Sequence, residues 1–346
     1  MKRNACLVLV VIFASLLLFS CKPQKYTESF NAMNTFMTVQ AYGSEKKAKA
    51  ALEEAKSRVA SIEDVISTTK SGSDLYKLNH SFGASMVVRD DTAFLFEFTN
   101  GLYKATNGAL NPALYPIISA WGFTTESYRI PSEEEITALL SHTDFSQAEL
   151  SETAGGAVIK TTEGMKLDFG AVGKGYAGDE IIRILKEHGI KSALLDLGGN
   201  VQVIGKKTDG SKWVVGIKNP WGGDSVCTVK IADLAVVTSG GYERFFVGDD
   251  GKKYIHIFDP KTGHPVENDL ESVTIICERG LYADALSTSL FVMGKDKAVE
   301  WWYNNSGFDF ILITTDNEFY YSSGLNDDIQ VIYPFNAIYA VTRDAE

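Results

Sequence analysis

Residues 166–179 read Lys-Leu-Asp-Phe-Gly-Ala-Val-Gly-Lys-Gly-Tyr-Ala-Gly-Asp, a combination of glycines, lysine and carboxylate that suits a phosphate group. An apolar run precedes the glycines and a helical pattern follows, so we predict a strand that ends in a tight glycine turn and leads into a helix. The first N–H groups of that helix and the ammonium of Lys174 favour an anion, and Asp168 suits a metal ion or a nucleotide. The glycine spacing matches neither a dinucleotide fingerprint nor a Walker loop. The alternative is a glycine turn that only allows close helix packing.

Two further stretches carry side chains that can act in chemistry. His256 lies near the end of a predicted strand at 254–258, where a histidine is either a general base or a structural residue. Asp284 and Thr288 are four residues apart at the start of a predicted helix, so their oxygens face one side. They form either a pair of hard oxygen ligands for Mg²⁺ or local helix contacts. For each stretch alone, the structural role is the better supported.

The elements that must position these residues alternate between helical and strand-like patterns. Apolar spacing predicts a helix at Glu45–Ile66, a second helix capped by Asp91, and a third at 176–187. The opening run at 29–42 is typical of one strand, and short strands follow one another closely from residue 192 to 277. This pattern favours an antiparallel meander over a doubly wound parallel sheet.

The first 20 residues are typical of a bacterial lipoprotein signal peptide. Lys2 and Arg3 precede an apolar run at 7–19 that is short for a membrane span, and Cys21 follows a small residue. We therefore expect an acylated Cys21, a polar tether at 21–29 and one globular domain at 30–346. The chain would be lipid-anchored on the extracytoplasmic, periplasmic side of a bacterial membrane, with the inner membrane favoured. An ordinary secretory signal or an uncleaved anchor is the alternative.

Composition limits the classes of partner. Without Lys2 and Arg3, 31 basic side chains stand against 44 acidic ones, a net charge of −13. This charge argues against non-specific binding of nucleic acid, and an anionic ligand needs a metal ion or a few placed cations. Cys227 and Cys277 can pair in an oxidising compartment, but their apolar surroundings favour two buried free thiols.

Together, the motifs resemble the ApbE family of flavin transferases, the FAD:protein FMN transferases. The resemblance covers the whole predicted domain, and the matching motifs occur in the order that the family has. They are Met33-Asn34-Thr35, Ser73-Asp74-Leu75 to Asn79, Asn107-Gly108-Ala109 to Trp121-Gly122-Phe123, Asp168-Phe169-Gly170-Ala171 to Asp179, Gly198-Gly199-Asn200, residues 238–244, residues 256–263 and residues 283–288.

The resemblance implies an α/β (α+β) fold with a T-fold-like core of antiparallel sheet and flanking helices over residues 30–346. It implies Mg²⁺ bound by the backbone oxygen of Ala171 and the side chains of Asp284 and Thr288. The implied FAD contacts are Met33, Ala109, Leu110, Asn111, Asp168, Lys174 and Ile257.

The implied activity is Mg²⁺-dependent transfer of FMN from FAD to a threonine of a partner flavoprotein, with release of AMP. Such acceptors include redox-pump subunits with an Asp-x-x-Ser/Thr-Gly-Ala-Thr motif, which this chain lacks, so it is expected to be the enzyme. Lys174 would draw charge from the pyrophosphate, and His256, with Asp284 nearby, is the candidate base or orienting group. If water attacks instead, FAD is hydrolysed to FMN and AMP. The alternatives are a non-catalytic lipoprotein that binds or scavenges FAD and a structural surface lipoprotein.

Two positions depart from the usual pattern of the family. Asn34 replaces the glycine of a Met-Gly-Thr motif, and Asn111 stands where Asp-Pro is common. Because asparagine tolerates positive φ, we predict that the turn at Asn34 is kept. Both changes bear on substrate affinity and on the balance between hydrolysis and transfer.

Overall fold

The computed structural model describes residues 23–343 of the chain. The predicted signal peptide and the predicted lipidation site Cys21 lie outside the described residues. Within residues 23–343, no helix is both long and apolar enough to cross a bilayer. Cys227 and Cys277 are buried free thiols, as predicted.

The helices and strands alternate irregularly along the chain. The helices are α1 (Glu45–Ile66), α2 (Asp74–Asn79), α3 (Asp90–Ala105), α4 (Tyr115–Ala120), α5 (Glu133–Leu140), α6 (Gly170–Glu187), α7 (Gly280–Met293) and α8 (Lys295–Asn304). The strands are β1 (Gln24–Ala32), β2 (Thr35–Gly43), β3 (Met86–Val87), β4 (Glu149–Thr153), β5 (Gly156–Lys160), β6 (Ala193–Leu197), β7 (Asn200–Ile204), β8 (Trp213–Ile217), β9 (Cys227–Ile231), β10 (Ala235–Gly240), β11 (Phe245–Val247), β12 (Lys253–Ile255), β13 (Leu270–Cys277), β14 (Phe308–Thr314), β15 (Glu318–Ser322), β16 (Ile329–Val331) and β17 (Ala337–Val341).

A nine-stranded sheet lies at the centre of the described residues, in the order β1-β2-β6-β7-β10-β13-β14-β15-β17. Its neighbouring strands pair antiparallel, except for the parallel pair of β15 and β17. Helices α1, α6 and α7 pack on one face, and the small sheet β16-β9-β8 covers the other. Side chains alternate accordingly, since Ala235 and Val237 join the core under the helices while Val236 joins the core under the small sheet. The predicted α/β (α+β) class, with an antiparallel sheet and flanking helices, is confirmed.

The opening run at 29–42 forms two strands, so the prediction of a single strand is wrong. Strands β1 and β2 pair from Gln24 with Gly43 to Ala32 with Thr35, and Met33 and Asn34 form the turn. Both turn residues have positive φ, 51° and 58°, as a two-residue type I′ turn requires. The predicted turn at Asn34 is therefore kept. Strand β1 also includes residues 24–29, which were assigned to the polar tether, because their backbone groups pair with β2.

The glycine stretch differs from its prediction in two ways. Residues 166–169 form no strand, and the glycines lie inside α6, which begins at Gly170 instead of Tyr176. Their φ values are not positive, so they form no tight turn. A Cβ on Gly175 would lie 2.3 Å from the carbonyl oxygen of Gly280, and one on Gly173 would lie 3.2 Å from Ile66 Cδ1. These glycines therefore allow other elements to approach α6 closely, which was the alternative interpretation.

Two predicted boundaries also change. Arg89, and not Asp91, occupies the N-cap position of α3, although its side chain makes no capping bond. Asp91 lies in the first turn and accepts from the Arg58 guanidinium at 2.6 and 2.7 Å. The strand predicted at 254–258 ends at Ile255, so His256 follows β12. His256 therefore lies in the loop after β12.

Candidate active site

The site is built where α6 and α7 pass each other. The close approach of Gly175 to Gly280 brings the first two turns of α6 against α7. As a result, the Gly175 N–H donates to Asp284 Oδ2 at 2.7 Å. Ala171 lies one turn before Gly175, and Lys174 directly before it. The predicted metal ligands and the predicted phosphate-binding lysine therefore lie at one helix crossing.

Asp284 is the central acidic group of this crossing. Its side chain is only 4% exposed. Burial raises the pKa of this carboxyl above its ordinary value, while the positive charge of Lys174 and the Gly175 N–H act in the opposite direction. A buried carboxylate of this kind is stabilised by a cation.

Thr288 lies one turn after Asp284 on α7 and is half-buried. Its Oγ1 is 3.2 Å from Ser239 Oγ, which is also 2.8 Å from Ser287 Oγ. Ser287 Oγ in turn donates to the carbonyl oxygen of Asp284 at 2.9 Å. This hydroxyl chain ties the end of β10 to α7 and fixes Thr288 beside Asp284.

The residues at the crossing fit a magnesium ion. A carboxylate, a hydroxyl and a main-chain carbonyl are the hard oxygen donors that Mg²⁺ prefers, with its remaining positions left to water or phosphate. In a regular helix the Gly175 N–H would bond to Ala171 O. Because this N–H is directed to Asp284 Oδ2, acceptor capacity remains at Ala171 O.

Asp168 links the start of α6 to the predicted FAD-contact segment at 109–111. Its N–H donates to Pro112 O at 2.8 Å, and its Oδ1 accepts from the Gly170 N–H at 2.6 Å. Burial raises the pKa of this half-buried carboxyl, and the Gly170 N–H and the charge of Arg244 oppose that effect. The structure thus brings Asp168 together with this segment.

Asn111 uses its side chain inside the loop. Its Oδ1 accepts from the Ala113 N–H at 2.9 Å, and its Nδ2 donates to Thr143 O at 2.9 Å. An aspartate would keep the first bond and lose the second, because a carboxylate cannot donate. The departure from Asp-Pro therefore has a structural role.

The remaining predicted FAD contacts differ in their exposure. Met33 is half-buried, donates its N–H to Glu63 Oε1 at 3.2 Å, and lies against Gly173 at the start of α6. Ala109 is also half-buried. In contrast, the side chains of Leu110 and Ile257 are buried in the apolar cores.

His256 is held by a single main-chain carbonyl. Both its backbone N and its ring Nδ1 lie 3.1 Å from Arg244 O. Nδ1 is therefore assigned as the donor, which leaves the lone pair on Nε2. Burial lowers the pKa of His256 to about 4, and the charges of Arg244 and Lys174 act in the same direction. The ring is neutral at pH 7 and can accept a proton at Nε2.

The lowered pKa of His256 predicts how stability depends on pH. Between about pH 4 and 6.5 the unfolded chain binds a proton at His256 more readily than the folded protein does. This residue therefore makes the free energy of unfolding rise with pH in that range. We expect His256→Gln to gain about 2 kcal/mol relative to wild type as the pH falls from 7 to 4.5. Urea unfolding of both proteins across this range measures the difference. A difference that is independent of pH would contradict the assigned environment.

Arg244 is a site residue to which sequence reasoning gave no role. Its carbonyl holds His256, its Nη2 donates to Phe123 O at 2.6 Å, and its charge acts on both Asp168 and His256. The only sequence signal for Arg244 was its place in the motif at 238–244. Its contact with His256 uses the backbone oxygen, and the type of side chain does not indicate such a contact.

Comparison with known proteins places this geometry among flavin transferases. The family model described as "ApbE family" matches residues 33–312. A protein of Treponema pallidum named FAD:protein FMN transferase is 34% identical over 326 residues, covering 89% of this chain and 90% of that protein. A protein of the same name from Escherichia coli K12 is 31% identical, covering 78% of each chain.

Two solved structures are similar along most of their length. The ApbE protein of Thermotoga maritima superposes with a TM-score of 0.77 at 33% identity, covering 84% of this chain and 94% of that one. The flavin transferase ApbE of Vibrio cholerae gives a TM-score of 0.79 at 25% identity, covering 88% and 99%.

Proposed function

The chain belongs to the ApbE family and is a transferase that moves FMN from FAD to a protein, and we propose that it does so with Mg²⁺ and a threonine acceptor. The observation that carries this proposal is the buried Asp284, hydrogen-bonded to Gly175 and flanked by Lys174 and Thr288. The site thus combines several oxygen ligands with the positive side chain of Lys174, in a protein whose net charge is negative.

The ligands proposed for Mg²⁺ are Ala171 O, the Asp284 carboxylate and Thr288 Oγ1. When bound there, the ion would withdraw charge from the pyrophosphate oxygens of FAD. Lys174 adds a positive charge on the same helix, and its ammonium would stabilise the charge that develops as the phosphoanhydride bond breaks.

The transfer step is a displacement at the phosphorus on the FMN side. The acceptor hydroxyl oxygen forms a bond to that phosphorus, and the bond to the bridging oxygen breaks, so that AMP leaves with this oxygen. His256 Nε2 is the proposed acceptor of the hydroxyl proton, and Arg244 O fixes the ring by its bond to Nδ1. Since the pKa of His256 is lowered to about 4, the ring is neutral at pH 7 and its Nε2 is free to accept. Water in place of the hydroxyl gives FMN and AMP.

The proposed FAD contacts are Met33, residues 109–111, Asp168, Lys174 and Ile257. Supporting this, Met33 lies against the first turn of α6, and the bond between Asp168 N and Pro112 O holds the loop at the same helix start. With Leu110 and Ile257 buried, their contacts would use main-chain atoms.

An acceptor peptide tests the proposed transfer. A peptide with the Asp-x-x-Ser/Thr-Gly-Ala-Thr motif is incubated with the protein, FAD and Mg²⁺, and its mass is measured. We expect a mass gain equal to FMN less one water, as a phosphoester requires, and no gain when the final threonine is valine. A peptide that stays unmodified while FAD is hydrolysed would contradict the transfer and leave a pyrophosphatase.

We also propose that the protein is anchored to the extracytoplasmic side of a bacterial membrane through lipid on Cys21. Support comes from the basic start, the short apolar run and the position of Cys21. Mass analysis of the mature protein from cells tests it, with Cys21→Ser as the control. An unlipidated first residue in wild type would overturn the proposal.

A further inference from the structure

Two carboxamide side chains extend from β7 toward the crossing of α6 and α7. Asn200 and Gln202 are two residues apart in the strand, so they share one face of the sheet. Both are buried, with 0% and 3% exposed. Gln202 Nε2 donates to Asn200 Oδ1 at 3.0 Å and lies 3.4 Å from Gly175 O. The sheet therefore contacts the site through a linked pair of amides.

Gln202 occupies the space between the two helices. A Cβ on Gly178 of α6 would lie 2.0 Å from Gln202 Nε2, and one on Gly280 of α7 would lie 1.7 Å from it. Neither glycine can carry a side chain while Gln202 holds this position. Gln202 thus fixes how α6 and α7 pass each other at the site.

Asn200 has a buried donor without a close partner. Its Nδ2 has no acceptor within normal hydrogen-bonding distance among residues 23–343. The Asn200 side chain nevertheless interacts with the Asp284 carboxylate, because it helps to lower the pKa of that carboxyl against the effect of burial. Because Gln202 Nε2 donates to Asn200 Oδ1, and because a carboxylate only accepts, Nδ2 is the Asn200 group that can interact with Asp284. Buried donors without a close partner are rare in folded proteins, so the Asn200 Nδ2 calls for an explanation.

We propose that Asn200 is a positioning residue that orients Asp284 as a ligand of the divalent cation. In the cation-bound protein, Asn200 Nδ2 donates to the carboxylate, the Gly175 N–H holds Oδ2, and Gln202 keeps the Asn200 amide in the required orientation. Hydrogen-bonding partners of metal-binding carboxylates typically change metal affinity by 10- to 100-fold when removed. This inference rests on the proposed function in one respect, namely that Asp284 binds the cation.

The test measures cation binding without turnover. Mn²⁺ is titrated by electron paramagnetic resonance into the full-length protein in detergent, free of flavin. Wild type is compared with Asn200→Ala and with Gln202→Met, which fills a similar space without the donor. Asn219→Ala is the matched control, because Asn219 is also a buried amide but bonds to the Trp221 N–H away from the site. Thermal unfolding in EDTA is recorded for each protein.

We expect Asn200→Ala and Gln202→Met each to weaken Mn²⁺ binding about tenfold or more, and Asn219→Ala to change it less than about twofold. FAD binding in EDTA should stay within about twofold of wild type for Asn200→Ala. Unchanged Mn²⁺ affinity in Asn200→Ala would overturn the proposal, even if its unfolding temperature falls, because the amide would then be structural. If Asn200→Ala does not fold, the Mn²⁺ affinity of Gln202→Met decides whether the proposal stands.

The two proposals can fail separately. A wild-type protein that binds Mn²⁺ in an Asn200-dependent way but releases no AMP from FAD would overturn the proposed function alone. A wild-type protein that releases AMP with Mg²⁺, while its Asn200 variant binds Mn²⁺ normally, would overturn the role of Asn200 alone. A wild-type protein that binds no Mn²⁺ would also overturn that role.

Discussion

Asp284→Asn is expected to lower Mg²⁺-dependent release of AMP from FAD by about a thousandfold, and Asp284→Ala by at least as much. The asparagine keeps an acceptor for the Gly175 N–H, so the helix crossing is held while the negative charge is lost. With that charge absent, the site lacks its one buried carboxylate ligand. Chromatography of AMP and FMN over a Mg²⁺ titration measures the loss.

Asp179→Asn is the matched control for this experiment. Asp179 lies on α6 and accepts from the Gly280 N–H at 2.7 Å, just as Asp284 on α7 accepts from Gly175 at the same distance. Both carboxylates therefore join the two helices, but only Asp284 lies beside Lys174. We expect the control to keep its activity within about threefold of wild type. Equal losses in both variants would contradict a metal-binding role that is specific to Asp284.

Gly175→Ala is expected to reduce both stability and activity. The added Cβ would lie 2.3 Å from Gly280 O and 2.7 Å from Leu281 Cα, and these main-chain atoms cannot rotate away. Overpacking of this kind costs about 1–3 kcal/mol, which exceeds the gain in helix propensity of up to about 1 kcal/mol. Because the helices must separate, we also expect AMP release to fall more than about tenfold.

Gly101→Ala tests whether these effects come from the crossing. Gly101 also lies inside a helix, α3, but nothing lies within 4 Å of its added Cβ. We expect this variant to be more stable than wild type by about 0.5–1 kcal/mol, with unchanged activity. Urea unfolding and AMP release are measured for both variants. Gly175→Ala with wild-type stability and rate would show that the close approach is unimportant.

The elements that could be predicted are those with strong internal periodicity. Helix α1 was predicted at its observed bounds because buried residues such as Ala48, Leu52, Ala55, Val59 and Ile62 repeat at helical spacing. The glycine-rich start of α6 gave no such signal, because its glycines are explained by contacts with Gly280 and Ile66, far away in the sequence. Likewise, the strand-like pattern at 29–42 did not reveal that a turn divides it, because the first turn residue is Met33 at φ 51° and methionine is not a usual turn residue. The turn at Asn34 was indicated only by the family motif.

The sequence indicated candidate site residues, but it did not indicate the geometry that brings them together. Asp284, Thr288 and His256 each had a sufficient structural explanation alone, and only the order of several motifs indicated a flavin transferase. What the sequence could not provide is how three elements meet: the Gly175 N–H bound to Asp284, the Asn200 amide beside it, and the Arg244 carbonyl on His256. Each of these contacts involves a main-chain group or a residue distant in sequence.

The fate of FAD in a single mixture tests the central claim most directly. The full-length protein is incubated with FAD and the acceptor peptide, with Mg²⁺ or with EDTA, and AMP, FMN and modified peptide are quantified together. We predict one AMP for each FMN attached to the peptide or released, and neither product in EDTA. Intact FAD that stays bound in a one-to-one complex in the presence of Mg²⁺ would contradict the enzymatic account and indicate a flavin-binding lipoprotein.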